Sequence, residues 1–319
     1  MVEKLRKYLL FFPGRPGAAW AVPALLGMVC LWLASPAQAA ALVFQSDFGL
    51  KDGAVAAMKG VAVSVAPNLF IYDITHEIPP FNIWEGALRL EQAAAYWPAG
   101  TVFVSVVDPG VGTDRRSVVL KTRSGHFFVS PDNGSLTFVA ESLGVESVCE
   151  IDETVNRLAG SGNSHTFHGR DVYAYTGARL AAGLIGFEQV GADCSTEVYR
   201  IPHQPPVIEN GVIWGGIPIL DVQYGNVWTN IGQALFEQLG VVTGGRVRVR
   251  IFSQGDMVVD LKIPYAATFG GVSEGKPLLY LNSLGNVALG VNQGSFSEQF
   301  RVKSGPDWSI QLDALNPPK

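Results

Sequence analysis

TVFVSVVDPGVGTDRR, residues 101–116, reads as a buried strand that breaks into a glycine-rich loop. Thr101–Val107 is a run of Val and Phe around one Ser, side chains that suit a pleated surface. It does not alternate apolar with polar, so both faces are covered, as in a parallel sheet. Asp108-Pro109-Gly110 ends it, because Pro cannot extend a ladder and Gly bends freely. Outward from this strand, apolar runs alternate with helical patterns. Leu42-Val43-Phe44 is a short strand entering the turn Ser46-Asp47-Phe48-Gly49. Asp52 to Val65 is a helix with Val55, Met58, Ala62 and Val65 on one face. Leu69–Tyr72 is a strand and Ile83–Tyr96 a helix; Ser117–Thr122 and Phe127–Ser130 are strands and Ser135–Leu143 a short helix. This order predicts an α/β class fold: a Rossmann-like, largely parallel sheet with helices on both faces, over residues 42–200.

Beyond Gly186 the texture changes. IPHQPPVI, residues 201–208, reads as a proline-rich linker or an irregular domain edge. Short strands separated by Gly-rich turns follow, at Gly211–Leu220, Arg246–Phe252, Met257–Ile263, Leu278–Leu281 and Val287–Val291. Arg246-Val247-Arg248-Val249-Arg250-Ile251 alternates strictly, so one face is buried and one wet. The expectation for residues 206–315 is a C-terminal all-β barrel or sandwich domain.

The first 39 residues read differently. Lys4, Arg6, Lys7 and Arg15 precede the uncharged run Ala18–Ala34, and Ala37-Gln38-Ala39 follows. Basic, apolar and small-residue segments in that order predict a signal peptide cleaved after Ala39. The protein is then expected to be exported, to a periplasm where one exists; without cleavage the segment is a membrane anchor. Removing four basic residues and one acid takes the net charge from -5 to -8. An acidic chain without a basic block excludes a phosphate-backbone binder, so no nucleic-acid partner is expected. Cys149 and Cys194 remain, bonded or free; two cysteines 45 apart do not decide it.

Catalytic groups in an open α/β sheet gather where loops leave the strand ends. Asp47 follows the first strand, and its carboxylate suits either a ribose diol or a turn cap; Asp52 reads as a helix cap. Asp108 stands at the end of the 101–107 strand, with Arg115 seven residues on, within reach if the loop doubles back. His168, in Thr166-Phe167-His168-Gly169-Arg170-Asp171, opens a helix running to Ala182. No zinc pattern accompanies His165 and His168, so no metal is expected.

Seven segments in order, SDFGLKDG, DITHEIPP, DPGVGT-D-RR, PDNGSL, TFHGRD, DVQYGNVWTNI and YLNSLGN, resemble the S-adenosylmethionine hydroxide adenosyltransferases. These are relatives of the fluorinase and chlorinase enzymes. The resemblance implies water or hydroxide attack on ribose C5′ of S-adenosylmethionine, giving adenosine and methionine, with no separate cofactor. It assigns Asp108, Arg115 and His168 to catalysis, the set that marks the hydrolases. The halogenases instead carry an aromatic residue, a Thr and a Ser, where this chain has Asp108, Val111 and Gly169. For binding it implies Asp47 at the ribose hydroxyls, Asp221 near the methionine ammonium, and Tyr224 and Asn226 at the adenine. Ser283 matches a position near the methionine carboxylate, while the halogenases' carboxylate-binding Arg is Leu284 here. The resemblance also implies a homotrimer, with each site between the first domain of one subunit and the second domain of its neighbour.

The chemistry suits these groups. A sulfonium expels a neutral thioether, so the leaving group needs no acid, and the demand falls on a positioned, partly deprotonated water. Against this stands the export signal, since S-adenosylmethionine is made in the cytoplasm. The competing reading is an extracytoplasmic nucleoside-binding protein without turnover.

Overall fold

Seven strands build the N-terminal sheet, and their face-by-face sorting explains the helices that cover it. The computed structural model describes residues 40–315. The expected signal segment, 1–39, lies outside them. In chain order the N-terminal domain runs β1 (Leu42–Ser46), α1 (Ala54–Val65), β2 (Ile71–Thr75), α2 (Ile83–Ala94) and β3 (Val102–Val106). It continues through β4 (Ser117–Thr122), β5 (Phe127–Pro131), α3 (Thr137–Ser142) and β6 (Val145–Glu150). A π-helical turn (Gly169–Ala174), α4 (Tyr175–Ala181) and β7 (Cys194–Ser195) complete it. The strand order is β2-β1-β3-β5-β4-β6-β7.

Alternate side chains of one strand enter different cores, as the period of two requires. Leu42, Phe44, Val102 and Val104 pack with Met58 of α1 and with Val172, Tyr173 and Ala178 of the π-turn and α4. Val43, Phe103 and Phe128 face the other way, onto Leu90 of α2 and Val139 of α3. Helices therefore lie on both faces, as expected. The sheet is less parallel than its sequence implied. Strands β2, β1, β3 and β5 are parallel, whereas β4 pairs antiparallel with both β5 and β6, and β7 antiparallel with β6. The four residues between β4 and β5 are too few for a parallel crossover, so those strands form a hairpin. Cys149 and Cys194 sit opposite each other on β6 and β7 and form a disulfide.

In the C-terminal domain the strands pair antiparallel. It comprises β8 (Val207–Glu209), β9 (Val212–Gly216), β10 (Ile219–Asp221), β11 (Asn226–Gly232), α5 (Gln233–Phe236), β12 (Arg246–Ser253) and β13 (Asp256–Pro264). Then follow β14 (Pro277–Leu281), β15 (Asn286–Val291), α6 (Phe296–Phe300) and β16 (Trp308–Ala314). One sheet is β10-β11-β15-β14 and the other β13-β12-β16-β9-β8. Ile231, Val287 and Leu289 of the first share one buried core with Val247, Val249, Ile251 and Ile310 of the second, which is sandwich packing. The single strand expected over Gly211–Leu220 is two, β9 and β10, in different sheets, because Ile217-Pro218 interrupts the ladder. Two hydrogen bonds tie α2 to this domain: Trp84 Nε1 donates to Pro218 O (2.8 Å) and Arg89 Nη2 to Leu220 O (2.9 Å).

Candidate active site

Asp108, Arg115 and His168 come together where β3 ends. The loop after β3 doubles back: Val111 N donates to Asp108 O, and Thr113 N and Oγ1 both donate to Gly110 O. Asn133, in the segment after β5, donates to Val107 O and steadies the loop's start. Gly112, at φ +78°, brings the loop against the backbone of His165, where a Cβ would lie 3.1 Å from the carbonyl oxygen. Glycine takes this left-handed conformation without the usual cost, so the two loops can touch.

Arg115 joins the other two groups. Its Nε and Nη2 donate to Asp108 Oδ1 and Oδ2 at 2.9 and 2.6 Å, a bidentate pair. Nη2 also donates to His168 Nδ1 at 3.1 Å, and Nη1 to Ser117 Oγ at 2.9 Å. Because guanidinium can only donate, Nδ1 of His168 is the acceptor and the ring hydrogen sits on Nε2. That Nε2 is buried and has no hydrogen-bond partner among the described residues. Burial lowers the His168 pKa; nearby Glu153 opposes this, and the charges of Arg115 and Arg157 add to it. The imidazole is therefore neutral. For Arg115, burial opposes the charge, but the bond to Asp108 and the surrounding acids outweigh it and its pKa rises. Tyr173 lies under the guanidinium, 5.6 Å from ring centroid to Cζ, and its hydroxyl is 3.2 Å from Ser117 Oγ. Burial first, then the Asp108 charge, raise its pKa, so it stays protonated.

His168 does not open a continuous α-helix. It precedes the π-helical turn, a distortion often found at functional sites, and α4 begins only at Tyr175. Gly169 lets the Phe48 ring approach, a Cβ there meeting it at 3.1 Å, and Phe48 stacks edge-on with Phe167. Asp47, beside Phe48, accepts a hydrogen bond from Phe81 N at 2.8 Å. Asp52 is not the expected cap: Gly53 is the N-cap of α1, with no side-chain hydrogen bond there, and Asp52 one residue earlier accepts from Ala54 N in a local turn. Phe81 itself is exposed and held at φ +67°, an uncommon conformation for an aromatic residue that costs about 1–3 kcal/mol. Sequence reasoning passed over Phe81, and over Ser117, Tyr173 and Glu153 around Arg115. For Phe81 a signal existed, since Asn82 and Glu85 spell a helix start immediately after it, and Asn82 does cap α2.

The binding residues expected in the second domain gather elsewhere. Asp221, Tyr224, Asn226 and Ser283 all line a cavity of about 990 Å³ between the β10–β11 turn and the β14–β15 turn. Asn226 is buried, and its Nδ2 donates to Asp221 Oδ2 at 3.0 Å, which occupies the amide expected at the adenine edge. Tyr224 is 67% exposed. No hydrogen bond among the described residues links this group to Asp47, Asp108, Arg115 or His168, and none of those four lines the cavity. The expected site residues thus fall into two separate groups in the chain. Among the described residues no three His, Cys, Asp or Glu side chains cluster as metal ligands would.

Residues 42–191 match the model of the SAM hydroxide adenosyltransferase N-terminal domain, and residues 215–309 that of its C-terminal domain. The chain belongs to this family. A "Fluorinase" of Actinoplanes sp. (strain N902-109) is 30% identical over 288 residues, 83% of this chain and 95% of that one. An "(R)-S-adenosyl-L-methionine hydrolase" of Salinispora tropica is 36% identical over 264 residues, 82% and 94% of the two chains. Another, of Methanocaldococcus jannaschii, is 45% identical over 143 residues, 44% of this chain and 52% of its own. Among solved structures, an uncharacterized conserved protein from Thermotoga maritima superposes with a TM-score of 0.78 at 38% identity, over 85% of this chain and 99% of that one.

Proposed function

We propose that this protein hydrolyses S-adenosylmethionine to adenosine and methionine. The observation that carries the reading is Arg115 holding half-buried Asp108 and buried His168 in one array, with the His168 ring hydrogen on Nε2 unpartnered among the described residues. In this reading His168 Nε2–H donates to the attacking water and orients it, while Asp108 accepts a proton from it. The water oxygen bonds to C5′, the C5′–S electron pair stays on sulfur, and methionine leaves as a neutral thioether. Arg115 holds both groups in place before reaction. Asp108 and Gly169 supply no halide site, since a carboxylate repels the anion and glycine offers no hydroxyl. Higher identity to the hydrolase relatives than to the fluorinase, at similar coverage, supports the same branch.

The half-sites support completion of each site by a second copy, in a homotrimer. Leu50 and Phe81, beside Asp47, and Val222 and Tyr224, beside Asp221, are exposed apolar residues at 66, 71, 77 and 67%. Exposed apolar groups concentrated at both half-sites fit faces that meet. Sedimentation at assay concentration tests this, and an active monomer contradicts it. Residues 1–39 are proposed as a removed export signal, which a mature N-terminus at Met1 contradicts. For the reaction, purified protein is incubated with each sulfonium epimer of S-adenosylmethionine, and adenosine and methionine are quantified. Equimolar products are expected. Adenosine binding without product is the result of a binding protein and overturns the assignment.

A further inference from the structure

The cavity that holds Asp221 and Tyr224 has an unusual charge balance for a site expected to grip an amino acid. Its walls include two carboxylates, Asp221 and Glu298, and no Lys, Arg or His. The β14–β15 turn, the expected carboxylate receptor, has spent its amides internally. Leu284 N and Asn286 N both donate to Asn282 Oδ1 at 3.0 Å, and Gly285 N to Asn282 O at 3.0 Å. Ser283 keeps an unengaged N–H and hydroxyl there, and the buried Asn282 Nδ2 has no partner among the described residues, so the donors left in the turn are all neutral. Leu284 does not line this cavity. A substrate ammonium entering here meets opposite charge, whereas a substrate carboxylate meets two like charges and only neutral donors.

We infer that this site reads the sulfonium nucleoside through its base and its amine and makes no ion pair with a carboxylate, so that decarboxylated S-adenosylmethionine is a substrate at least as good as S-adenosylmethionine. The inference rests on the hydrolase reading above and names its substrate class more closely: sulfonium nucleosides with a cationic aminoalkyl arm. The step keeps the same balance. Water oxygen bonds to C5′, the C5′–S pair goes to sulfur, 3-(methylthio)propylamine and adenosine leave, and one proton is released.

The facing half-site has one cation to consider. Arg115 is committed to Asp108, Ser117 and His168, and Arg170 pairs with Asp171. Lys51, exposed on the Asp47 turn, makes no ion pair among the described residues. The experiment measures kcat/KM for both compounds with the purified oligomer, as wild type and as Lys51→Ala. The amine is expected to equal or exceed S-adenosylmethionine, and Lys51→Ala to leave the ratio within about threefold. A charged hydrogen bond to the carboxylate would favour S-adenosylmethionine by about tenfold or more. An amine kcat/KM below about one third of that for S-adenosylmethionine overturns the inference while the hydrolase reading stands. A selective loss of about tenfold on S-adenosylmethionine in Lys51→Ala also overturns it, by assigning the carboxylate to Lys51. Hydrolysis of neither compound defeats the hydrolase reading and the inference together.

Discussion

The two half-sites are built in opposite ways. In the N-terminal one, buried His168 and half-buried Asp108 are each bonded to Arg115, which is backed by Ser117 and Tyr173, so the groups are oriented before any ligand arrives. The C-terminal one is an open cavity whose most prominent aromatic, Tyr224, projects into solvent. Groups that act on a developing charge gain from preorganisation, because no reorientation is needed at the moment of reaction. Groups that recognise the remote parts of a substrate need only be accessible and complementary. Under the proposed hydrolysis, the contrast predicts that substitutions in the first group change rate and those in the second change affinity.

The largest effect is expected for Asp108→Ala, with kcat falling at least about 100-fold and KM nearly unchanged. An unchanged kcat would break the comparison at its strong end. His168→Ala is expected to lose a similar or somewhat smaller factor, since it removes the donor to the water and leaves the acceptor. Tyr224→Ala should raise KM by about tenfold with kcat little altered, the usual worth of an aromatic stacked on a base. A fall in kcat with constant KM would move Tyr224 into the rate-determining half. The smallest effect concerns pH and stability. Burial lowers the pKa of both His168 and His76 in the folded state. Below the unfolded value of about 6.5 the unfolded chain then binds more protons, so stability falls as pH drops. Melting temperature followed from neutral pH to about pH 5 should show that decline, shallower in His168→Gln. A parallel slope in the variant would remove His168 from the titration.

Much of this was legible in the residues. Unbroken apolar strands alternating with amphipathic helices gave the two-faced N-terminal sheet, and the strand-end loops pointed to Asp108 and His168. What escaped was set by pairing rather than pattern. The antiparallel turn of β4 follows from loop length, and β16, with its irregular WSIQLDA, becomes a strand because β9 and β12 flank it. The His168 tautomer depends on an arginine 53 residues away, which no local reading could supply. Phe81 takes its conformation from Asp47, across 34 residues. The separation of Asp221, Tyr224, Asn226 and Ser283 from Asp108, Arg115 and His168 is likewise a property of the fold, since a list of candidate residues carries no distances.

Subunit complementation tests that separation and the reaction together. Asp108→Ala chains, damaged in the first half-site, are unfolded and refolded with chains carrying Asp221→Ala and Tyr224→Ala, damaged in the second, and adenosine release from S-adenosylmethionine is measured at subsaturating substrate. If each site joins half-sites of two subunits, random mixing of equal amounts restores about one quarter of wild-type activity, because that share of interfaces pairs two intact halves. A mixture no more active than its parents contradicts the account.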